Sequence, residues 1–291
     1  IQLGLEHLVI TGGMESMSNV PHYISRRTPL KLGDEILIDG LLKDGLTDVY
    51  YQTQMGNIAE MCVKNFGITR EAQDQFALNS YSKAAEADKN GKFDFEKVAI
   101  KKQIKNQDIL ISDDEDVFKV IPEKVPNLKP NFDKNGTITA ANASNINDGA
   151  DALLLASKEA VTQFNLKPLA RIVAYADAAQ SPEKYATSPS VAIPLALKRA
   201  NLKLEDIDFI EINEAFAAVI LANQQILNFD LDKTNVYGGA IALGHPLGAS
   251  GARIICTLVS VLKQEGGRYG LAAICNGGGG ASAIIIENLT N

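Results

Sequence analysis

From residue 170 onward, short apolar runs alternate with stretches of helical period, and this alternation restricts the fold more than any other feature of the chain. It predicts strands over 170–176, 207–212, 235–237, 269–275 and 282–287, with helices over 189–200, 214–228 and 249–264. Strands interleaved with helices bury a sheet beneath helical layers, so the expectation is a layered α/β fold. The segments 215–227 and 252–262 are apolar nearly all round, which calls for protein against both sides of each helix.

Upstream the pattern changes. Residues 7–11 read as a strand. Met55, Ile58, Ala59, Cys62 and Phe66 follow helical spacing, with Gly67 as a stop. Thr69 can cap a second helix that runs to about Asn90, with Gly91 ending it. Residues 98–110 alternate polar and apolar side chains. The four acids at 113–116 read as a solvated loop, because no Ca²⁺-loop spacing surrounds them. Residues 21–139 therefore read as an α+β insertion in an α/β frame.

Composition excludes several classes. A net charge of −7 offers no electrostatic footprint for a nucleic-acid backbone. The most apolar stretch, 207–227, is interrupted by Asp208, Glu211 and Glu214, so no membrane span is expected. Three cysteines without a C-x-x-C pair indicate neither a disulfide framework nor a thiolate metal site, and they suit a reducing compartment. The chain starts at Ile1 rather than Met and shows no charged signal region, and residues 1–4 read as the end of a helix, so sequence upstream is expected to be missing.

Three strand ends carry functional groups, which is where open α/β sheets bind ligands. After the strand 207–212 comes Asn213-Glu214-Ala215-Phe216. Asn213 can be a helix N-cap with Glu214 complementing the dipole, the reading local sequence favours, or an amide that holds a water or an oxyanion. The run 238–251 holds five glycines and His245 ahead of a helix, without a dinucleotide or phosphate-loop pattern. His245 is either a turn histidine or the best acid/base and hydrogen-bond donor candidate of the chain's three histidines. Cys275 precedes Asn276 and four glycines, whose exposed N–H groups could lower its pKa and bind an oxyanion. Cys62 and Cys256 lie on apolar helical faces and read as small core residues.

Together these motifs resemble the thiolase family, and the resemblance runs the length of the chain. It is carried by GGMESMS (12–18), KDGLTD (43–48), TITAANASNINDG (137–149), NEAF (213–216), GGAIALGHPLGASGAR (238–253) and CNGGGGASA (275–283). The resemblance implies a layered α-β-α-β-α fold with an inserted α+β loop domain. The domains would be 1–20 with 140–166 as the remainder of an N-terminal unit, 21–139 as the loop domain on the coenzyme A side, and 167–291 as the C-terminal unit. It implies acetyl-CoA C-acetyltransferase chemistry, the Claisen condensation of two acetyl-CoA to acetoacetyl-CoA plus CoA and the reverse thiolysis. Cys275 would be the acid/base, His245 with a water on Asn213 would stabilise the enolate oxygen, and the Gly277 N–H would serve a second oxyanion hole. Ser144 matches a pantetheine contact; Met55, Gln54 and Phe216 would lie near the acyl end and Lys124 near the nucleotide. The adjacent Arg26 and Arg27 are equally well read as a solvated pair. No cofactor beyond coenzyme A is implied, apart from K⁺ at Tyr81, Ala140, Ala141 and Ala143 as in potassium-dependent relatives. The partners would be acetyl-CoA, acetoacetyl-CoA and CoA, in a homo-oligomer (dimer or tetramer) that is cytoplasmic or mitochondrial.

Two departures stand out. The family's acyl-accepting cysteine would precede Ile1, and none of Cys62, Cys256 and Cys275 replaces it, so the chain alone is expected to be inactive in the complete cycle. Gln54 stands where close relatives carry a histidine beside the acyl thioester, which bears on acyl-chain range. The competing expectations are a 3-ketoacyl-CoA thiolase of fatty-acid degradation and an inactive CoA-binding paralogue. A nucleotide-binding protein is disfavoured for want of a phosphate loop.

Overall fold

The computed structural model describes residues 1–24 and 32–290. The chain opens with β1 (Leu8–Ser16). Two short ladders follow, β2 (His22–Tyr23) with β3 (Ile38–Asp39) and β4 (Thr47–Asp48) with β5 (Thr53–Gln54). α1 (Met55–Phe66) ends at Gly67, whose φ of 61° is the left-handed stop the sequence suggested. α2 (Arg70–Lys89) is capped by the Thr69 hydroxyl, which accepts from the Ala72 N–H. The alternating segment is a hairpin of β6 (Ile100–Ile104) and β7 (Gln107–Ile111), turned by Lys105 and Asn106, both at positive φ as a two-residue hairpin turn requires. β8 (Asp148–Ala156) then pairs antiparallel with β1, Leu8 opposite Ala156.

The C-terminal part runs α3 (Lys158–Gln163), β9 (Ala170–Ala179), α4 (Pro189–Ala200), β10 (Phe209–Ile212), α5 (Ala217–Leu227), α6 (Ala240–Leu243), α7 (Leu247–Glu265), β11 (Tyr269–Asn276) and β12 (Gly280–Asn288). Its sheet has the order β10-β11-β12-β9, with β10 and β11 parallel and the remaining pairs antiparallel. Strand alternation splits its side chains between two cores. Ile210, Ile212, Leu271, Ala273 and Ile285 pack with Ile193 and Leu197 of α4 and Ile220 of α5. Ala272 and Ile286, on the opposite face, pack against Ile254, Leu258 and Leu262 of α7. α7 also lies against β1 and β8, so the order of layers is the β1–β8 pair, α7, the four-stranded sheet, then α4 with α5. A helix wedged between two sheets must be apolar on both sides, as its sequence is. Apolar side chains of the β1–β8 pair that point away from α7, Ile10, Met14 and Leu154 among them, are exposed.

Three sequence expectations shift. The strand expected at 235–237 is a single parallel bridge between Thr234 and Ile210. Asn235 sits at positive φ, and its side-chain amide takes over both edge bonds, accepting from the Ile212 N–H and donating to the Ile212 carbonyl, each at 2.9 Å. The helix expected from 214 starts at Ala217, because Phe216 is extended and is the N-cap. The helix expected from 249 starts earlier, at Leu247.

The start of α7 meets β1 backbone to backbone. A Cβ on Gly13 would overlap the Gly248 carbonyl oxygen, and one on Gly248 would overlap that of Met14. Gly13→Ala is therefore expected to push the start of α7 away from β1 and to cost about 1–3 kcal/mol, read as a lower midpoint in denaturant. An unchanged midpoint would mean that this contact gives way freely.

Candidate active site

The site begins where β10 and β11 end side by side. Ile212 lies opposite Ala273, and the Asn213 N–H donates to the Ala273 carbonyl at 3.0 Å. Four residues, 213–216, separate the end of β10 from α5, and the last of them, Phe216, is extended. Asn213 is fully buried and caps no helix, so the cap reading fails. Its Nδ2 is 3.2 Å from His245 Nε2. The other ring nitrogen, Nδ1, is 2.6 Å from Ser250 Oγ. Burial holds the His245 pKa down at about 4, with the Arg253 guanidinium adding to the effect, so the ring is neutral at physiological pH.

Glu214 does not complement a helix dipole. Its buried carboxylate accepts from the Ser80 hydroxyl (2.7 Å), the Asn235 amide (2.8 Å) and the Ile241 N–H (3.2 Å). It thereby ties α2 and the glycine-rich segment to the end of β10, and burial raises its pKa. Ser144 is tied in as well. Its N–H and its hydroxyl both donate to the Ala215 carbonyl, at 3.1 and 3.0 Å, while the His245 N–H donates to the Asn145 carbonyl at 3.4 Å. Ala143 bridges to Phe216, whose ring meets Phe132 edge to face with centroids 6.0 Å apart.

Cys275 lies near the end of β11, and its side chain enters the core shared by Ile58, Ala59 and Cys62 of α1 and Ala218, Val219 and Ala222 of α5. The sequence suggested an accessible thiol of lowered pKa. Instead the residue is 7% exposed and burial pushes its thiol up to about 12. The glycines lie beyond it, in the β11–β12 turn, where Gly279 at φ 87° is held against the Gln180 carbonyl. Gly277 is exposed, and a Cβ there would sit 3.8 Å from Met55 Cε. Met55 opens α1 directly after Gln54, and the Tyr185 hydroxyl donates to the Met55 carbonyl at 3.0 Å.

The predicted residues thus fall into groups. Asn213 and His245 are bonded directly, Ser144 is laced to the same turn, and Cys275, Gly277 and Met55 flank the strand ends from the α1 side. Among the described residues no hydrogen bond joins Cys275 to His245 or Asn213. Tyr81, Ala140 and Ala141 line a separate cavity of about 300 Å³ with Asp116, Lys119 and Lys124; Ala143 does not. Lys124 is exposed there. Arg26 and Arg27 lie outside the described residues. Cys62 is a core residue with its thiol pushed up to about 12, whereas Cys256 is half-buried and its thiol donates to Asp151 Oδ1 at 2.9 Å, so it is not a core residue.

The family descriptions "Thiolase, N-terminal domain" and "Thiolase, C-terminal domain" match residues 1–159 and 166–288. The chain belongs to the thiolase family. It is 50% identical to acetyl-CoA acetyltransferase IA of Candida tropicalis over 98% of this chain and 72% of that one. A cytosolic acetyl-CoA acetyltransferase of Gibberella zeae is 48% identical over 99% of this chain and 74% of that one. The crystal structure of a thiolase from Ascaris suum in complex with coenzyme A superposes with a TM-score of 0.93 at 46% identity, over 99% of this chain and 74% of that one. The layered fold expected from sequence is therefore that of thiolases.

Sequence reasoning missed Ser250, Tyr185 and a buried charge cluster. Glu211 is 1% exposed with neither carboxylate oxygen bonded, and none of the side-chain nitrogens of the neighbouring Arg253 finds a partner among the described residues. Glu96 lies close enough to act on Glu211 and bonds to the Thr257 hydroxyl at 3.0 Å. The signal available for Glu211 was its place between Ile210 and Ile212 in an otherwise apolar strand, where an acid must face the second core.

Proposed function

We propose that this thiolase chain acts as an acetyl-CoA C-acetyltransferase, condensing two acetyl-CoA to acetoacetyl-CoA plus CoA and catalysing the reverse thiolysis. The observation that carries this reading is the buried Asn213–His245 pair at the end of β10, beside the strand that carries Cys275 one residue before its end. Thiolysis of acetoacetyl-CoA releases the enolate of acetyl-CoA, which needs a proton on carbon and a donor at oxygen. The Cys275 thiol, kept protonated by burial, supplies the proton, and Asn213 and His245 face the oxygen. In condensation the same thiolate takes the proton back. Gly277, exposed at the turn, offers its N–H to the thioester oxygen.

Met55, Gln54 and Phe216 bound the acyl end in this reading, Ser144 meets the pantetheine arm and Lys124 the nucleotide. K⁺ would be held by the Ala140 and Ala141 carbonyls beside Tyr81. Among the described residues these carbonyls accept no hydrogen bond, and the residues line a cavity with Asp116; the Asp116 carboxylate is paired with Lys119 at 2.9 Å, so a cation bound there would compete with that lysine. Bound there, K⁺ would supply positive charge next to the segment that carries Ser144. The acyl-accepting cysteine is none of Cys62, Cys256 and Cys275, whose pKa values are all raised by burial. In this reading the protein works as a homo-oligomer, in the cytoplasm or mitochondria, and the cytosolic relative supports the first of these compartments; among the described residues no helix is long and apolar enough to cross a membrane. The identities favour acetyl-CoA over the longer substrates of a 3-ketoacyl-CoA thiolase.

The test is exchange of the acetyl-CoA methyl protons with heavy water, which needs no acyl acceptor. The chain is expected to accelerate exchange, with a rate that rises about tenfold per pH unit near neutrality as the Cys275 thiolate fraction grows. His245→Ala is expected to lose a factor on the order of 10²–10³. Coenzyme A binding without exchange above that of buffer would overturn the reading.

A further inference from the structure

The Ser250 hydroxyl has one proton and two neighbours that could take it, His245 Nδ1 at 2.6 Å and the Pro246 carbonyl oxygen at 3.0 Å. That carbonyl is already satisfied, because it accepts the N–H of Ala249 at 2.9 Å and that of Ser250 at 3.0 Å. A carbonyl oxygen has two lone pairs, so a third donor adds little there. Among the described residues Nδ1 has no other partner. The ring is neutral, so it carries one proton, and whichever nitrogen accepts from Ser250 is not the one that holds it.

We propose that Ser250 is a positioning residue which, by donating its hydroxyl proton to Nδ1, fixes His245 in the tautomer that carries its proton on Nε2. The catalytic consequence rests on the function proposed above, since only a ring with Nε2–H can donate to an enolate oxygen. A second consequence follows at Asn213. Nε2–H facing the amide needs an acceptor, which a half-turn of the amide supplies by exchanging Nδ2 and Oδ1. Oδ1 has no partner as placed, so the half-turn breaks no bond it makes. In that resting arrangement Oδ1 holds Nε2–H, which passes to the enolate oxygen when substrate takes the place of Oδ1 as acceptor, and the amide NH₂ points to where Oδ1 was.

Ser250 is well suited to the task. It is fully buried and lies in the first turn of α7, the helix whose start Gly13 and Gly248 lock against β1. Burial keeps water from Nδ1, and the helix that carries the hydroxyl packs on the four-stranded sheet through Ile254, Leu258 and Leu262.

Nitrogen NMR of the intact chain, with the His245 signals identified by their loss in His245→Asn, tests this directly. The expected result is a pyridine-like Nδ1 and a pyrrole-like Nε2. Ser250→Ala should move the tautomer ratio toward Nδ1–H by about three- to tenfold, the weight of one hydrogen bond, and should slow acetyl-CoA methyl exchange in proportion to the fall in the Nε2–H fraction that the spectrum reads, at unchanged affinity. Ser250→Thr, which keeps the hydroxyl, should restore both. A pyrrole-like Nδ1 in the unsubstituted chain, or a ratio indifferent to Ser250→Ala, overturns the proposal. If Ser250→Ala does not fold, the unsubstituted spectrum still decides. If no exchange is seen at all, it is the functional reading that fails, and the tautomer stands or falls by the spectrum alone.

Discussion

Cys275→Ser is expected to slow exchange of the acetyl-CoA methyl protons by a factor on the order of 10²–10⁴, the range that one positioned acid/base contributes, while coenzyme A affinity stays within about twofold. The two side chains are close in size, and the position lies in a core of Ile58, Ala59, Ala218 and Val219 that does not depend on sulfur chemistry. The difference is acidity. Burial pushes the Cys275 thiol up to about 12, and an alcohol in the same pocket is a far weaker acid still. Equal loss of binding and exchange would instead mean that serine disturbs packing, and rates like those of the unsubstituted chain would remove Cys275 from the chemistry.

The same residue marks where sequence reasoning stops. That a cysteine stands at the end of a strand was legible from the apolar run 269–275 and the glycines after it. Its raised pKa was not, because the desolvation comes from α1, more than two hundred residues earlier in the chain. Asn213 was misread for a related reason. Locally an Asn followed by an acid and an apolar run signals a cap, and only the register of β10 against β11 and the extended Phe216 turn its amide toward His245. Elements defined by nearby residues, such as the Thr69 cap and the Gly67 stop, were read correctly because their physics is local. The pairing of β1 with β8 joins segments about 140 residues apart; the family resemblance put 1–20 and 140–166 in one unit, but no periodicity or spacing in either segment marks them as partners. Ser250 left no trace either, as one small residue among several at the start of α7.

Glu211 supports a second large effect, on stability. Its carboxyl is fully buried and pushed up to about 8, by desolvation first, with Glu214 and Glu96 raising it further and Arg253 and Lys83 opposing them. Glu96 is itself pushed up to about 7. A carboxyl whose folded pKa lies above its unfolded value binds a proton more tightly when folded, so its contribution is complete below about 4.5 and is lost as pH rises toward 8. One group changes stability by at most about 1.4 kcal/mol per pH unit. Glu211→Gln keeps the shape of the protonated acid and cannot ionise. The variant should therefore match the unsubstituted chain near pH 4 and exceed it increasingly up to about pH 8, with the gap level beyond, read as the difference between denaturation midpoints along the pH series. Groups not coupled to Glu211 act alike in both proteins and cancel in that difference, whereas Glu96 and Glu214, which act on Glu211, contribute to the gap along with it. The opposite sign, a variant weaker at pH 8, would mean that Glu211 is ionised and paired with Arg253. The geometry argues against that, because no hydrogen bond joins the Glu211 oxygens to any Arg253 nitrogen.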